Sequence, residues 1–408
     1  MEETKEKKFE YLKGDKILWM LIIVISALSI FPVYSASSNL QYIVNNGTTT
    51  SHMIKHMFFL VFGLSIMRFV GVFKYEHIGK LSSILLGITI ILLLLTVFSG
   101  HQIDGASASR WLTIPGTPIS FQPSTFAYLM LIIYICRYLT KRITRERLVI
   151  ENIIYLFGPT LLVVFLVGKD NGSTALMIML VSLMVMALGR LSMKYIVGFS
   201  ATMLVFACLF LLVATKTNWL GSNRVETWSS RIETFFKKDD GVLTEEEKTK
   251  NYQVMQAKAA IIHGGAIGTG PGKSALKQSL PQSVSDFIFA IIVEEYGLAG
   301  AIFLITLYFM MIIRIVMIAS KIRTFFGSLL VLALGLMIFV QISVNIAVAV
   351  NLIPVTGQPL PLISYGGTSM LVTYLQLGII LNVSSRILTY DEEGMGKKQT
   401  IEEINDIA

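Results

Sequence analysis

The sequence predicts an all-α, polytopic integral membrane protein with about ten transmembrane helices and one long extracytoplasmic loop. Hydrophobic residues make up 54% of the chain and charged residues only 15%. The mean hydropathy is +0.67. The apolar residues gather into runs of the length a bilayer demands, about 20 residues per helix. A soluble domain of 408 residues has far less apolar surface to hide.

The runs fall at residues 17–36, 53–73, 78–98, 119–139, 152–168, 173–189, 195–215, 285–313, 325–350 and 363–387. Lysine and arginine placement checks the count, because short cytoplasmic loops carry the excess of both. With the N-terminus inside, the inner segments hold clusters such as Lys5, Lys7, Lys8, Lys13 and Lys16, or Lys141, Arg142, Arg145 and Arg147. The short outer loops carry only Lys55, Arg110 and Lys169. A multi-pass protein with both termini in the cytoplasm is therefore expected. The first run is too long for a signal peptide and lacks a small-residue cleavage site, so it reads as an anchor.

The chain divides into a cytoplasmic tail at 1–16, a transmembrane domain at 17–388 and a cytoplasmic C-terminal tail at 389–408. The last of these is expected to be disordered. Within the domain, residues 216–284 form the large outer loop, whose apolar patches predict short amphipathic helices around an acidic, solvated turn at 237–248. The net charge of +8 reflects the inner loops and the N-terminal tail. It points to anionic lipid and not to nucleic acid. Cys136 and Cys208 lie in apolar runs without metal-ligand spacing, so both are read as inert buried thiols.

Candidate chemistry begins at Leu280–Gly300, where a polar loop becomes an apolar helix carrying Asp286, Glu294 and Glu295. Acids in or beside hydrocarbon are expensive. Asp286 falls at the expected helix start, where it could cap the helix or, with Ser285 capping instead, act as a functional acid. Glu294 and Glu295 follow eight and nine residues later, a depth of roughly 12 Å at 1.5 Å per residue. At least one must face protein or water.

GTGPGKS at 268–274 imitates a phosphate-binding loop, but Ile267 stands where the Walker pattern needs glycine. The run can be either a flexible loop or a ligand cradle. The remaining unusual polar residues lie on the same outer side. Arg110 and Trp111 precede FQPS with Gln122 and Ser124; Lys169, Asp170 and Asn171 fill a very short loop; PVTGQPLPLISYGGTS leads through Ser364, Tyr365 and Gly366 into the last run. Irregular Pro/Gly backbone at membrane depth survives only against protein or a water-filled cavity. The coincidence of these features on one face favours a site there.

RWL at 110–112, FQPS at 121–124, GGAIGTGPG at 264–272, LPxxxSDFIFAIIVEEYGLAG at 280–300 and PVTGQPLPLISYGGTS at 354–369 resemble, in order and spacing, the SEDS family of bacterial shape, elongation, division and sporulation proteins. The resemblance spans roughly residues 15–388. It implies a membrane glycosyltransferase of the bacterial cytoplasmic membrane that polymerises peptidoglycan from lipid II beside a class B penicillin-binding transpeptidase and other divisome proteins. Within the family the chain leans to the division branch over the elongation branch. It departs from the common pattern at Thr125 and Tyr128, where glutamate and lysine are usual, and at Ser285, where threonine is.

Glycosyl transfer from a lipid diphosphate requires a base for the acceptor hydroxyl and stabilisation of the departing diphosphate. The resemblance assigns the base to Asp286. Arg110, Lys273 and Lys277 are the candidate cations for the diphosphate, with or without a divalent ion, Mg²⁺ or Mn²⁺, shared with it. No dense acid cluster marks a dedicated metal site. Two other classes remain open at this point: a lipid II flippase and a noncatalytic scaffold for division proteins.

Overall fold

The computed structural model describes residues 13–37, 49–99, 111–113, 120–143, 150–203, 205, 245–274 and 285–407. Lys16–Leu28 (α1) and Ile30–Ser37 (α2) form one span, interrupted at Ser29. Pro32 has no N–H to return to Leu28, and the interruption falls in that turn. Thr49–Val70 (α3) and Tyr75–Ser99 (α4) follow. A two-stranded antiparallel hairpin comes next, β1 (Leu112–Thr113) and β2 (Ser120–Phe121), with Leu112 opposite Phe121. It leads into Pro123–Ile143 (α5), where proline occupies the first helical position and its missing N–H costs nothing. Then come Ile150–Gly168 (α6), Gly172–Leu188 (α7), Glu245–Gly264 (α8), Ile288–Lys321 (α9), Phe325–Ala349 (α10) and Gly367–Ile407 (α11).

Seven of the expected spans coincide with helices long and apolar enough to cross a membrane. The fifth and sixth coincide with shorter apolar helices, Ile154–Gly168 and Gly172–Leu188. The seventh, expected at 195–215, is helical over 193–203 and then lies mostly outside the described residues. Two expectations are corrected. The tail after Leu388 is not irregular, because α11 continues to Ile407. Glu245–Lys248, expected in a solvated turn, form the first turn of α8.

Polar side chains and small residues join the helices. Tyr374 of α11 is fully buried; its hydroxyl shares a 2.7 Å hydrogen bond with Ser26 Oγ of α1, and its ring lies against Gly63 of α3. A Cβ at position 63 would lie 2.1 Å from that ring, so only glycine admits the tyrosine. Asn382 donates to the carbonyls of Val70 and Phe73, tying the middle of α11 to the α3–α4 turn. Small residues and interhelical hydrogen bonds are the usual fastenings where lipid is as apolar as the core. By contrast, α3 and α4 turn Phe58, Phe62, Phe69, Ile84, Ile88 and Ile91 outward.

The start of α1 is fastened by charge. Asp15 caps the helix at Leu18 N–H (2.8 Å) and takes a bidentate contact from Arg314 of α9, at 2.9 Å from Nε and 2.6 Å from Nη2. Burial alone would raise its carboxyl; the guanidinium and the Leu18 N–H outweigh that and hold the pKa below the ordinary value. A depressed folded-state pKa means that the stabilisation is complete above the unfolded value near 3.9 and is lost as pH falls through the lower folded value. Asp15→Asn should cost about 1–3 kcal/mol at neutral pH and flatten the acid limb of stability. Thermal unfolding in detergent between pH 7 and pH 3 reads both.

Candidate active site

Asp286 stands just outside α9, which begins at Ile288 with Phe287 at the cap position and no side-chain cap. Neither Asp286 nor Ser285 is therefore the N-cap, and the capping role expected for one of them is not found. Asp286 is 9% exposed, and a Cβ at Gly357 would lie 3.4 Å from its Oδ2. The carboxylate thus faces a backbone position that carries no side chain.

The 351–366 segment is held against this acid by a set of amide and hydroxyl contacts. Asn345 Nδ2 of α10 donates to the carbonyls of both Asp286 (3.0 Å) and Gln358 (2.8 Å). One turn earlier, Gln341 Nε2 donates to Pro359 O at 3.0 Å. Ser364 Oγ donates to Ser285 O (2.6 Å) and accepts from Leu360 N–H (2.7 Å). Gln358 Nε2 reaches Thr174 Oγ1 of α7 at 2.7 Å, and Asn171 caps that helix at Thr174 N–H. The starts of α7 and α9, the end of α10 and the Pro/Gly segment before α11 therefore meet around Asp286. Asn345 Oδ1 and Thr356 Oγ1 are buried there without a hydrogen-bond partner among the described residues. Unsatisfied acceptors beside a carboxylate suit a polar ligand that brings its own hydroxyls.

Glu294 and Glu295 are tied to neighbouring side chains, although Glu295 Oε2 is buried without a hydrogen-bond partner among the described residues. Both are buried, at 0% and 1% exposed. Glu294 accepts from Ser274 Oγ and meets His263 Nδ1 at 3.2 Å; Glu295 accepts from Ser35 Oγ of α2. They lie just before a break at Gly297 (φ 69°, ψ −172°), a conformation essentially reserved for glycine. The glycine-rich run docks on this break. Thr269 N–H and Gly270 N–H donate to the carbonyls of Glu294 (2.9 Å) and Glu295 (3.0 Å). Leu298 N–H and Ala299 N–H donate to Gly265 O (2.9 Å) and Ala266 O (3.2 Å). An unbroken helix would have joined these same carbonyls and N–H groups to each other. The expected flexible loop or ligand cradle is thus a backbone splint, and a Cβ at Gly264 or Gly268 would strike α9 backbone at 2.1 or 2.3 Å.

The other expected site residues are dispersed. Arg110 and Lys277 lie outside the described residues. Trp111 adjoins the hairpin, Gln122 accepts from Thr125 Oγ1 at 2.8 Å, and Ser124 is buried in the first turn of α5. Lys273 is exposed at the end of the splint, and Asp170 is half-buried beside the Asn171 cap. Tyr365 packs on the rings of His52 and His56 of α3, at 5.9 and 6.1 Å, one residue before Gly366. Thr125 and Tyr128 have structural surroundings: the threonine bonds back to Gln122, and Tyr128 is buried in α5. The residues that sequence reasoning left out of the site are Asn345, Gln358, Thr174 and Gly357. For Asn345 a signal existed, since Gln341 and Asn345 are a polar pair four residues apart in an apolar helix.

A helical membrane domain with a polar cluster built around a buried acid and irregular Pro/Gly backbone defines a class of polytopic membrane protein that carries a formed site at one end of its bundle. Residues 15–387 match the cell cycle protein family of FtsW, RodA and SpoVE, and the chain belongs to it. A probable peptidoglycan glycosyltransferase FtsW of Enterococcus hirae is 31% identical over 389 residues, covering 92% of this chain and 94% of that protein. The probable peptidoglycan glycosyltransferase FtsW of Bacillus subtilis (strain 168) is 27% identical, covering 94% and 96%. Among solved structures, a chain from a peptidoglycan synthase complex superposes with a TM-score of 0.68 at 23% identity, covering 92% of this chain and 98% of its own. The rod shape determining protein RodA of Thermus thermophilus superposes with a TM-score of 0.64 at 23% identity, with the same coverage. At that identity the structural likeness bears on the fold.

Proposed function

We propose that the chain is a peptidoglycan glycosyltransferase that polymerises lipid II into glycan strands at the outer face of the cytoplasmic membrane during cell division, with Asp286 as general base. The observation that carries the reading is the place of Asp286. It lies before α9, facing Gly357 and against the Pro/Gly segment that Asn345 and Ser364 hold there, whereas Glu294 and Glu295 lie further along the helix beside the break at Gly297. The names of the relatives in Enterococcus hirae and Bacillus subtilis support the same activity.

In this mechanism Asp286 takes the proton from the acceptor hydroxyl as that oxygen attacks the donor sugar, and the bond to the undecaprenyl diphosphate breaks. Asn345 and Ser364 position the acid by holding the backbone of residues 285 and 286. Lys273, with Arg110 and Lys277, supplies positive charge for the leaving diphosphate. The described residues contain no group of three or more His, Cys, Asp or Glu side chains able to hold a metal. They do not build a dedicated cage for Mg²⁺ or Mn²⁺; a divalent ion would be shared with the lipid diphosphate, whose charge it would help to neutralise.

Both termini lie in the cytoplasm in this reading, and the partner is a class B penicillin-binding transpeptidase within the divisome. The solved synthase complex, which coordinates polymerization and crosslinking, supports such a pairing. Proteoliposomes containing the purified chain and fluorescent lipid II are expected to yield glycan polymer, and more of it when the transpeptidase is co-reconstituted. Translocation of lipid II without polymer would establish the flippase instead, and neither outcome the scaffold.

A further inference from the structure

At the end of α9 opposite Asp286, a small cleft opens between the α9–α10 turn, the start of α4 and the 383–387 stretch of α11. Lys321, Arg323 and Arg386 line it, with Tyr75, Thr324, Val383 and Ile387. We propose that this cleft binds the phosphate headgroup of an acidic phospholipid whose acyl chains stay in the surrounding bilayer.

The charge argument comes first. Neither Lys321, Arg323 nor Arg386 has an acidic partner within ion-pair distance among the described residues. Asp15, whose N–H bonds to Ser384 Oγ of α11, gives both of its carboxylate oxygens to Arg314. Three cations lining one cleft repel one another and favour an anion between them. Arg190, with its guanidinium 5.9 Å from the Phe325 ring at the start of α10, adds to the positive field.

Geometry then selects phosphate. Thr324 caps α10 at Gly327 N–H (3.3 Å) and shares a 3.0 Å hydrogen bond with Tyr75 OH, so the cations surround a positive helix end whose cap is held in place. The cleft, about 30 Å³, is too small to enclose a nucleotide or a sugar phosphate but admits the tip of a headgroup whose remainder stays in the bilayer. The spans that border it end at Lys321 and Ile387, so it lies at the membrane boundary, where lipid phosphate is the concentrated anion. A basic recess between transmembrane helices at the membrane boundary is a chemically suitable headgroup site.

The test uses the full chain in neutral detergent, with thermal unfolding followed during titration with phosphatidylglycerol, phosphatidylcholine or inorganic phosphate. Phosphatidylglycerol should raise the midpoint saturably, and phosphatidylcholine should not. In Lys321→Gln/Arg323→Gln/Arg386→Gln the half-saturating concentration should rise about 100-fold, from roughly fivefold per cation. The charge-conserving Lys321→Arg/Arg323→Lys/Arg386→Lys should stay within about threefold of wild type, since bulk charge rather than bidentate geometry is invoked. If the triple glutamine variant does not fold, Arg323→Gln alone, at an exposed position, carries the same test with the fivefold effect. An unchanged half-saturating concentration in the glutamine variant overturns the site. Equal stabilisation by inorganic phosphate assigns the cleft to a soluble anion and overturns the lipid. None of these readings depends on whether the chain polymerises lipid II.

Discussion

Asp286→Asn is expected to reduce lipid II polymerisation by about 10² to 10⁴-fold while leaving the protein folded. The substitution keeps the size of the side chain and removes its capacity to take a proton. Its structural cost should be small for reasons visible around the site. The contacts that hold this segment run to the backbone carbonyls of Ser285 and Asp286, from Ser364 and Asn345, and survive the change. The helix cap is not disturbed either, because Phe287 occupies that position. Initial rates of glycan formation in proteoliposomes, with unfolding midpoints and transpeptidase binding measured alongside, separate chemistry from assembly. Near wild-type polymerisation by the asparagine variant would place the base elsewhere. Glu294→Gln sets the contrast: its side chain is bound by Ser274 and His263, so any loss of activity should follow loss of stability.

Gly297→Ala is expected to abolish accumulation of folded protein. Two costs coincide at this residue. Its backbone lies at φ 69°, ψ −172°, where a side chain incurs about 1–3 kcal/mol of strain. A Cβ there would lie 2.5 Å from Ala266 O, Ile267 C and Gly268 N, all backbone atoms that cannot swing aside. Relief requires the glycine-rich run to lift from α9, which breaks the four backbone hydrogen bonds between them. Gly87→Ala is the control, since nothing lies within 4 Å of the Cβ it would add. Yields and melting profiles of the two variants in the same membranes decide the matter; a Gly297→Ala protein that melts like wild type would mean that the break is dispensable.

Seven of the spans were legible because each declares itself by apolar length alone, and the place of Asp286 before α9 followed from the same boundary. Its surroundings were harder to read. Asn345 and Gln341 appear in sequence as isolated amides in an apolar helix, and only the fold shows that they hold the Pro/Gly segment beside the acid. The glycines at 264–272 suggested freedom or a ligand, since a splint is recognisable only once its partner, some thirty residues later in the chain, is seen. Asp15 looked like part of a charged tail because Arg314 lies 299 residues away. Alternation of apolar stretches carries distance along the membrane normal; it carries nothing about which helices are neighbours.

The splint on α9 also bears on how the chain is made. A transmembrane helix broken at Gly297 delivers two carbonyls and two N–H groups with no partner in their own helix, each costing several kcal/mol in hydrocarbon. Residues 265–270 answer all four, and they precede α9 in the chain. Ribosomal synthesis therefore releases the repair before the defect. The helix can be handed to the membrane with its complement already waiting, and its insertion and the docking of the glycine-rich run become a single event of biogenesis.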